Sequence, residues 1–191
     1  KKRPLSWSSI SSFKYDPEQW YRKYVLNEAQ ETSREMEFGK MIGEKLASDP
    51  TFLPDVPRLD KYEHKLEVVF KQIPLIGYMD GFCTKTNSKM LEFKTGKKAW
   101  DQKRVDSHKQ LDMYLLMHYI TTQINPEKMD VRLVWLPTQD NGDFSISFVE
   151  PLRPRIFTTK RTMLDILRFG QEIISTWDDM QEYVHNYPLH K

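Results

Sequence analysis

Apolar residues recur at two spacings along this chain, three or four apart in some stretches and every second position in others, which separates helices from strands. Helical spacing starts near the front, where Trp7, Ile10 and Phe13 follow Leu5-Ser6 in a serine-rich run able to cap a helix. A second helix is predicted from Asp16-Pro17 to about Leu26, with aspartate as cap and proline in the first turn. It carries Trp20, Tyr21, Tyr24 and Val25 beside Arg22 and Lys23. Such a mixture can line a nucleic-acid groove, but at this spacing it more often packs as core with a solvated fringe. Thr32 to Ala47 reads as a third helix, with Met36, Ile42 and Leu46 apolar and Gly39 and Gly43 four apart. Asp49-Pro50 stops it, and Thr51 to Pro57 is a connector.

The rhythm then changes to alternation. Tyr62 to Lys71 resembles a strand, Gln72 to Pro74 turns, Leu75 to Cys83 is a second strand, and Met90 to Thr95 is a third beyond the polar turn Thr84 to Lys89. Ser107 to Thr121 is a strong helix, with Gln110, Tyr114 and His118 along one line and Leu111, Met113 and Leu115 supplying apolar contacts. Met129 to Pro137 alternates as a buried strand, and Asn141-Gly142 turns it into Phe144 to Val149 as a hairpin. After the proline-broken Pro151 to Pro154, Thr158 to about Tyr183 carries a helical stripe through Met163, Ile166, Leu167, Gly170, Ile174 and Trp177 that covers a sheet face. These elements predict an α/β fold, one domain over residues 1–191, with a central mixed sheet of about five strands flanked by helices.

Composition narrows the class. With 191 residues, 39% hydrophobic and 13% aromatic, the chain can bury a real core. A net charge of +2 leaves any polyanion binding to local patches. The single cysteine, Cys83, excludes an internal disulfide, a cysteine-based zinc site and a four-cysteine iron–sulfur cluster, and reads as a small buried strand residue. No apolar run approaches a membrane span and no secretory signal is visible, so a reducing, cytoplasmic setting without membrane contact is expected. The chain opens at Lys1 without a methionine, which leaves room for residues upstream.

Candidate chemistry concentrates in Gly77 to Gly96. Alternation puts Glu92 and Lys94 on one face of their strand, and Asp80 on the adjoining strand can face the same way. Two hard oxygen donors beside an ammonium suit Mg²⁺ or Mn²⁺ with waters to spare. Glu37 and Glu44 of the third helix could also point at the metal. The following loop holds Lys97, Lys98, Trp100, Lys103 and Arg104, more basic residues than Asp101 and Asp106 offset, and is where phosphates would be steered unless it is only a solvated loop. Gln110 and Tyr114 could bond a phosphate or a metal-held water. Chance acid-x-lysine triplets, Glu63-His64-Lys65 and Asp101-Gln102-Lys103, show that a partly buried Glu–Lys pair with no catalytic role is the bland alternative.

The ordered set Leu5-Ser6-x-Ser8, Tyr15-Asp16-Pro17, Phe38-Gly39-Lys40, Gly77-x-x-Asp80, Glu92-x-Lys94-Thr95-Gly96 and Gln110-Leu111-x-x-Tyr114 resembles the RecB-type branch of the PD-(D/E)XK nuclease superfamily over nearly the whole chain. That resemblance implies a restriction-endonuclease-like core and metal-dependent hydrolysis of phosphodiester bonds in DNA. By it Asp80, Glu92 and the Phe93 carbonyl hold the metal, Lys94 orients the attacking water, and Gln110 and Tyr114 support the site. A helicase, a recombination protein or a CRISPR-adaptation protein would be the partner. Two positions depart from the pattern. Gly43 stands where many relatives carry a further histidine ligand, with Glu44 beside it as substitute. Asp16 stands where cluster-bearing relatives have a cysteine, so no iron–sulfur cluster is expected. The competing readings are a catalytically silent DNA-binding or scaffold module that keeps the fold, and a protein-interaction domain.

Overall fold

A computed structural model describes residues 3–187. Three strands form an antiparallel meander: β1 (Lys61–Phe70), β2 (Ile73–Phe82) and β3 (Lys89–Gly96). Lys71 and Gln72, both at positive φ (47° and 66°), make the two-residue turn whose twist suits a hairpin. β4 (Asp130–Asp140) lies parallel to β3, so the chain must cross over between them, and it does so through α4 (Gln102–Asp106) and α5 (Lys109–Thr122). The outer edge of β4 is shared: Thr138 to Asp140 pair with β5 (Ile146–Phe148), and Val131 to Trp135 pair with β6 (Arg155–Thr159). The result is a six-stranded mixed sheet.

Helices cover both faces. α1 (Trp7–Tyr15), α5 and α6 (Met163–Asn186) pack over Leu66, Leu75, Met79, Met90, Val131 and Leu133, with α2 (Pro17–Tyr24) against them through Trp20 and Tyr21. On the other face α3 (Arg34–Ser48) brings Ile42 and Leu46 onto Leu91, Val134 and Leu136, with Val56 of the connector. Local chemistry sets the starts of these helices. Ser6, Asp16 and Ser33 each cap a first turn, and Thr162 with Asp165 forms a reciprocal capping box.

The segment from Thr158 illustrates where pattern alone misleads. It is not helical at first, because Arg155–Thr159 completes the open edge of β4 as a sixth strand, and α6 starts only after the Thr162 box. Within α6 the buried stripe runs through Ile166, Phe169, Gly170 and Ile173, while Leu167 is 51% exposed. Phe144 lies in the hairpin tip at φ 64°, which shortens β5. Cys83 sits one residue past β2 and is half-buried rather than enclosed. Among the described residues no helix is long and apolar enough to cross a membrane.

One buried polar cluster ties the crossover to the sheet. Arg161, 3% exposed, donates to Asp112 of α5, to Thr159 of β6 and to the carbonyl of Val105 (3.1 Å), with His108 O at 3.5 Å. Removing one member of a buried pair strands the other charge in low dielectric, at a cost of about 3–5 kcal/mol, whereas an apolar replacement of both can be neutral. Arg161→Met is therefore expected to lower stability in urea unfolding by about that amount. Arg161→Met combined with Asp112→Leu is expected to regain most of the loss. A single variant as stable as the parent would remove this cluster from the account of the fold.

Candidate active site

The site begins where a β-ladder stops. Gly81 pairs with Leu91 and Phe82 with Met90, so Asp80 and Glu92 would be the next pair across β2 and β3, yet the two strands are not bonded there. Instead the Asp80 carboxylate enters the gap and Oδ2 accepts the Phe93 N–H at 2.7 Å. The break extends to the other neighbour. Tyr62 pairs with Gly81 and His64 with Met79, but Glu63, at the level of Asp80, is outside the ladder and holds φ 45°. Positive φ on a residue with a side chain costs on the order of 1 kcal/mol or more and tends to mark sites where the surroundings impose it. The alternation slips by one residue here, so that Met79 and Phe82 both face the core under α5.

On β3, Glu92 and Lys94 share a face. Lys94 Nζ donates to Glu92 Oε1 at 2.5 Å and to Gln110 Oε1 at 2.7 Å, and Gln110 Nε2 donates to the Tyr114 hydroxyl at 2.7 Å. Gln110 and Tyr114 are one turn apart on α5, which can approach β2 closely because position 77 is glycine. A Cβ there would lie 2.9 Å from the Tyr114 ring. Glu92 is 1% exposed, and its second carboxylate oxygen, Oε2, is buried without a hydrogen-bond partner. Burial pushes the Glu92 carboxyl up against the pull of Lys94. Burial and the adjacent Glu92 charge push Asp80 up to about 8.

These groups line one cleft of about 500 Å³ between the end of the β2–β3 ladder and α3. Asp80, Glu92, Phe93, Lys94 and Gln110 all reach it. Glu44 does not: it is exposed beside Lys40, 3.8 Å away, about 100° around α3 from Gly43. Glu37 is likewise outside the cleft, and the acid that α3 brings to it is Glu35. Gly43 lines the cleft, and a Cβ there would meet nothing within 4 Å.

The basic loop is more structured than a phosphate-steering loop need be. Trp100, 7% exposed, is part of the core, edge-on to His108 at 5.0 Å, and Arg104 stacks over its outer face at 3.8 Å. Lys97 pairs with Asp140. Lys98 and Lys103 remain exposed. His118, on the same helical line as Gln110 and Tyr114, is buried against the Asn87 carbonyl (2.9 Å) and takes no part in the site. Glu35, Glu63 and His108 were not singled out by sequence. The last two had a signal in hindsight, Glu63 by its place opposite Asp80 and His108 by its spacing from Gln110.

The donor set fits a hard divalent cation. Asp80 and Glu92 offer carboxylate oxygens, Phe93 follows Glu92 on β3 and lines the same cleft, and the unpartnered Glu92 Oε2 is a buried carboxyl oxygen that a cation would satisfy. Among the described residues no group of three or more His, Cys, Asp or Glu side chains converges to hold a metal, so waters would complete the shell.

No family model matches the sequence, and no curated protein does. Solved structures do resemble the fold. One, from Eubacterium rectale and carrying an exonuclease assignment, aligns over 100% of this chain and 90% of its own at 11% identity with a TM-score of 0.59. Another, the alkaline exonuclease of Laribacter hongkongensis, aligns over 95% of this chain and 90% of its own at 11% identity with a TM-score of 0.55. At that identity the likeness is one of fold.

The buried carboxylates make a stability test without any substrate. A carboxyl that titrates near 4 when unfolded and at about 8 when folded keeps its proton longer in the folded state. Stability in chelator should then fall as pH rises between those values. Asp80→Asn is expected to flatten that fall by more than about 1 kcal/mol between pH 5 and pH 8 in urea unfolding. An unchanged slope would show that Asp80 is not held in a charge-disfavouring place.

Proposed function

We propose that this chain is a Mg²⁺- or Mn²⁺-dependent deoxyribonuclease of the PD-(D/E)XK superfamily, RecB-like branch, that hydrolyses phosphodiester bonds from DNA ends. The observation that carries the reading is the convergence of Asp80, Glu92 and Lys94 on one cleft, with Glu92 Oε2 buried and unpartnered. The exonuclease names of two proteins sharing the fold support the same class. Its setting would be cytoplasmic, in DNA repair, recombination, phage DNA processing or CRISPR adaptation, beside a helicase or a recombination protein.

Asp80, Glu92 and the Phe93 carbonyl would hold the cation. When bound, it supplies positive charge to the phosphoryl oxygens and eases deprotonation of a nearby water. Lys94 does the rest of the electrostatic work. Fixed by Glu92 and Gln110, its ammonium can orient the attacking water and offset the negative charge that builds as the water oxygen bonds to phosphorus. The P–O ester bond to the leaving oxygen then breaks; the attacking water gives up its proton to solvent, and the leaving oxygen takes one from solvent. Tyr114 holds Gln110 and is buried, with its phenol pushed up by burial, so it acts as a neutral support. Lys98 and Lys103, exposed cations just after β3, could steer the DNA backbone.

A silent DNA-binding module is favoured by one observation, the shortage of a third acidic or histidine ligand among the described residues. The two readings separate on divalent binding: calorimetric Mn²⁺ binding lost in Glu92→Ala favours the nuclease.

Asp80→Ala, Glu92→Ala and Lys94→Ala are each expected to lower cleavage of end-labelled DNA in Mg²⁺ by at least about 10². Glu44→Ala is expected to cleave at the parental rate. An Asp80→Ala protein as fast as the parent would refute the site.

A further inference from the structure

His108 is the first-turn neighbour of the site that the proposed mechanism leaves idle. It occupies the N-cap position of α5, yet its side chain makes no capping hydrogen bond. A serine, aspartate or asparagine would serve the helix better. The ring instead points sideways, its Nε2 3.2 Å from Gln110 Oε1.

The polarity of that contact follows from its other partner. Gln110 Oε1 already accepts from Lys94 Nζ at 2.7 Å, and Gln110 Nε2 donates to Tyr114 at 2.7 Å. Turning the amide over would set its NH₂ against an ammonium, so Oε1 faces both Lys94 and His108. The imidazole nitrogen beside an acceptor must carry a hydrogen. Burial and the Lys94 charge hold the ring's pKa down to about 4, which leaves it neutral, with Nε2 protonated and Nδ1 bare. Its orientation is fixed by two tryptophans met edge-on, Trp7 of α1 at 6.3 Å and 82°, and Trp100 at 5.0 Å and 74°.

We propose that His108 is a positioning residue: by donating Nε2–H to Gln110 Oε1 it locks the amide that holds Lys94 in the cleft. Lys94 and His108 share one acceptor, so the amide cannot rotate away from the ammonium without abandoning both bonds and the Tyr114 bond together. The contact also links Lys94, through the His108 ring, to the loop bearing Trp100 and Arg104. The catalytic consequence rests on the nuclease reading above, whereas the hydrogen-bond pattern does not.

Two measurements test it. In metal-free protein, ¹⁵N–¹H correlation spectra of the histidines should show His108 as the Nε2–H tautomer alone from pH 6 to pH 8, and Gln110→Ala should let a fraction of the Nδ1–H form appear. In Mg²⁺, His108→Asn puts a better cap at the start of α5 but an amide too short to reach Gln110. It is expected to leave the thermal midpoint equal or higher while kcat falls about tenfold with KM changed less than about twofold. His108→Gln, which keeps an N–H at similar reach, is expected to recover most of kcat. A merely structural residue would lose rate and stability together. An Nδ1–H tautomer, or an unchanged kcat in His108→Asn, overturns the proposal. The expected tautomer in a parent protein that cleaves no DNA overturns the nuclease reading, and with it the catalytic role of His108.

Discussion

The structure turns on a backbone N–H that a side chain has taken from the sheet. Where β2 and β3 should continue their ladder, the Phe93 N–H goes to the Asp80 carboxylate, and the strands part at the level of Glu92. A ladder bond between neutral groups would have been the less costly choice, since buried charge is penalised and two carboxylates at facing positions repel. Such a local violation survives only if the surroundings over-determine it. Below the break, Leu91 and Met90 anchor β3 in two separate cores, one on each face of the sheet. Above it, β4 runs parallel to β3 in unbroken register from Lys89 to Gly96. The gap is therefore held open by a sheet that is regular on the other side.

That rigidity has to be transmitted to the other half of the site, which comes from a helix. α5 supplies Gln110 and Tyr114, and its start is fixed by Arg161, which holds Val105 O and the Asp112 carboxylate from within the core. The buried arginine and the glycine at position 77 act on the same element in different directions. One fixes the helix start, and the other lets the Tyr114 ring come within contact of β2. Lys94, between a strand carboxylate and a helix amide, is placed by both.

The order of the sequence motifs made the central triad legible, because alternation and apolar flanks fix which face Glu92 and Lys94 share. What composition and spacing could not carry was anything decided by a neighbour far along the chain. Arg155–Thr159 resembles the first turn of a long helix until the open edge of β4 is known to need a partner. Trp100 looked like a nucleic-acid contact in a run of lysines, but the short α4, capped by Asp101, turns it inward onto His108. Glu44 lies outside the cleft lining for a simpler reason, since it differs from Gly43 by one step around a helix. Glu63 was passed over as a chance acid-x-lysine triplet, and only its place beside Asp80 brings it to the cleft.

The charge balance of that cleft bears on how the proposed reaction would be gated. Four carboxyl groups line it, Glu35, Glu63, Asp80 and Glu92, with Asp80 holding its proton up to about pH 8, against two ammoniums, Lys40 and Lys94, and Lys94 is already committed to Glu92. The cleft lining thus offers a phosphate little positive charge of its own, since Lys94 is paired and only Lys40 is left to set against Glu35 and Glu63. On the nuclease reading, a divalent cation would serve twice: for the chemistry, and before it to supply the positive charge that draws a phosphate in. Gly43 fits this picture, because α3 gives the cleft open space where a side-chain ligand could have stood. With fewer protein donors the cation keeps more water, and a hydrated cation is easily reached by a phosphate oxygen that displaces one of those waters. On that reading, the shortage of ligands and the scarcity of free positive charge would point the same way, toward a site completed by a cation and by a substrate.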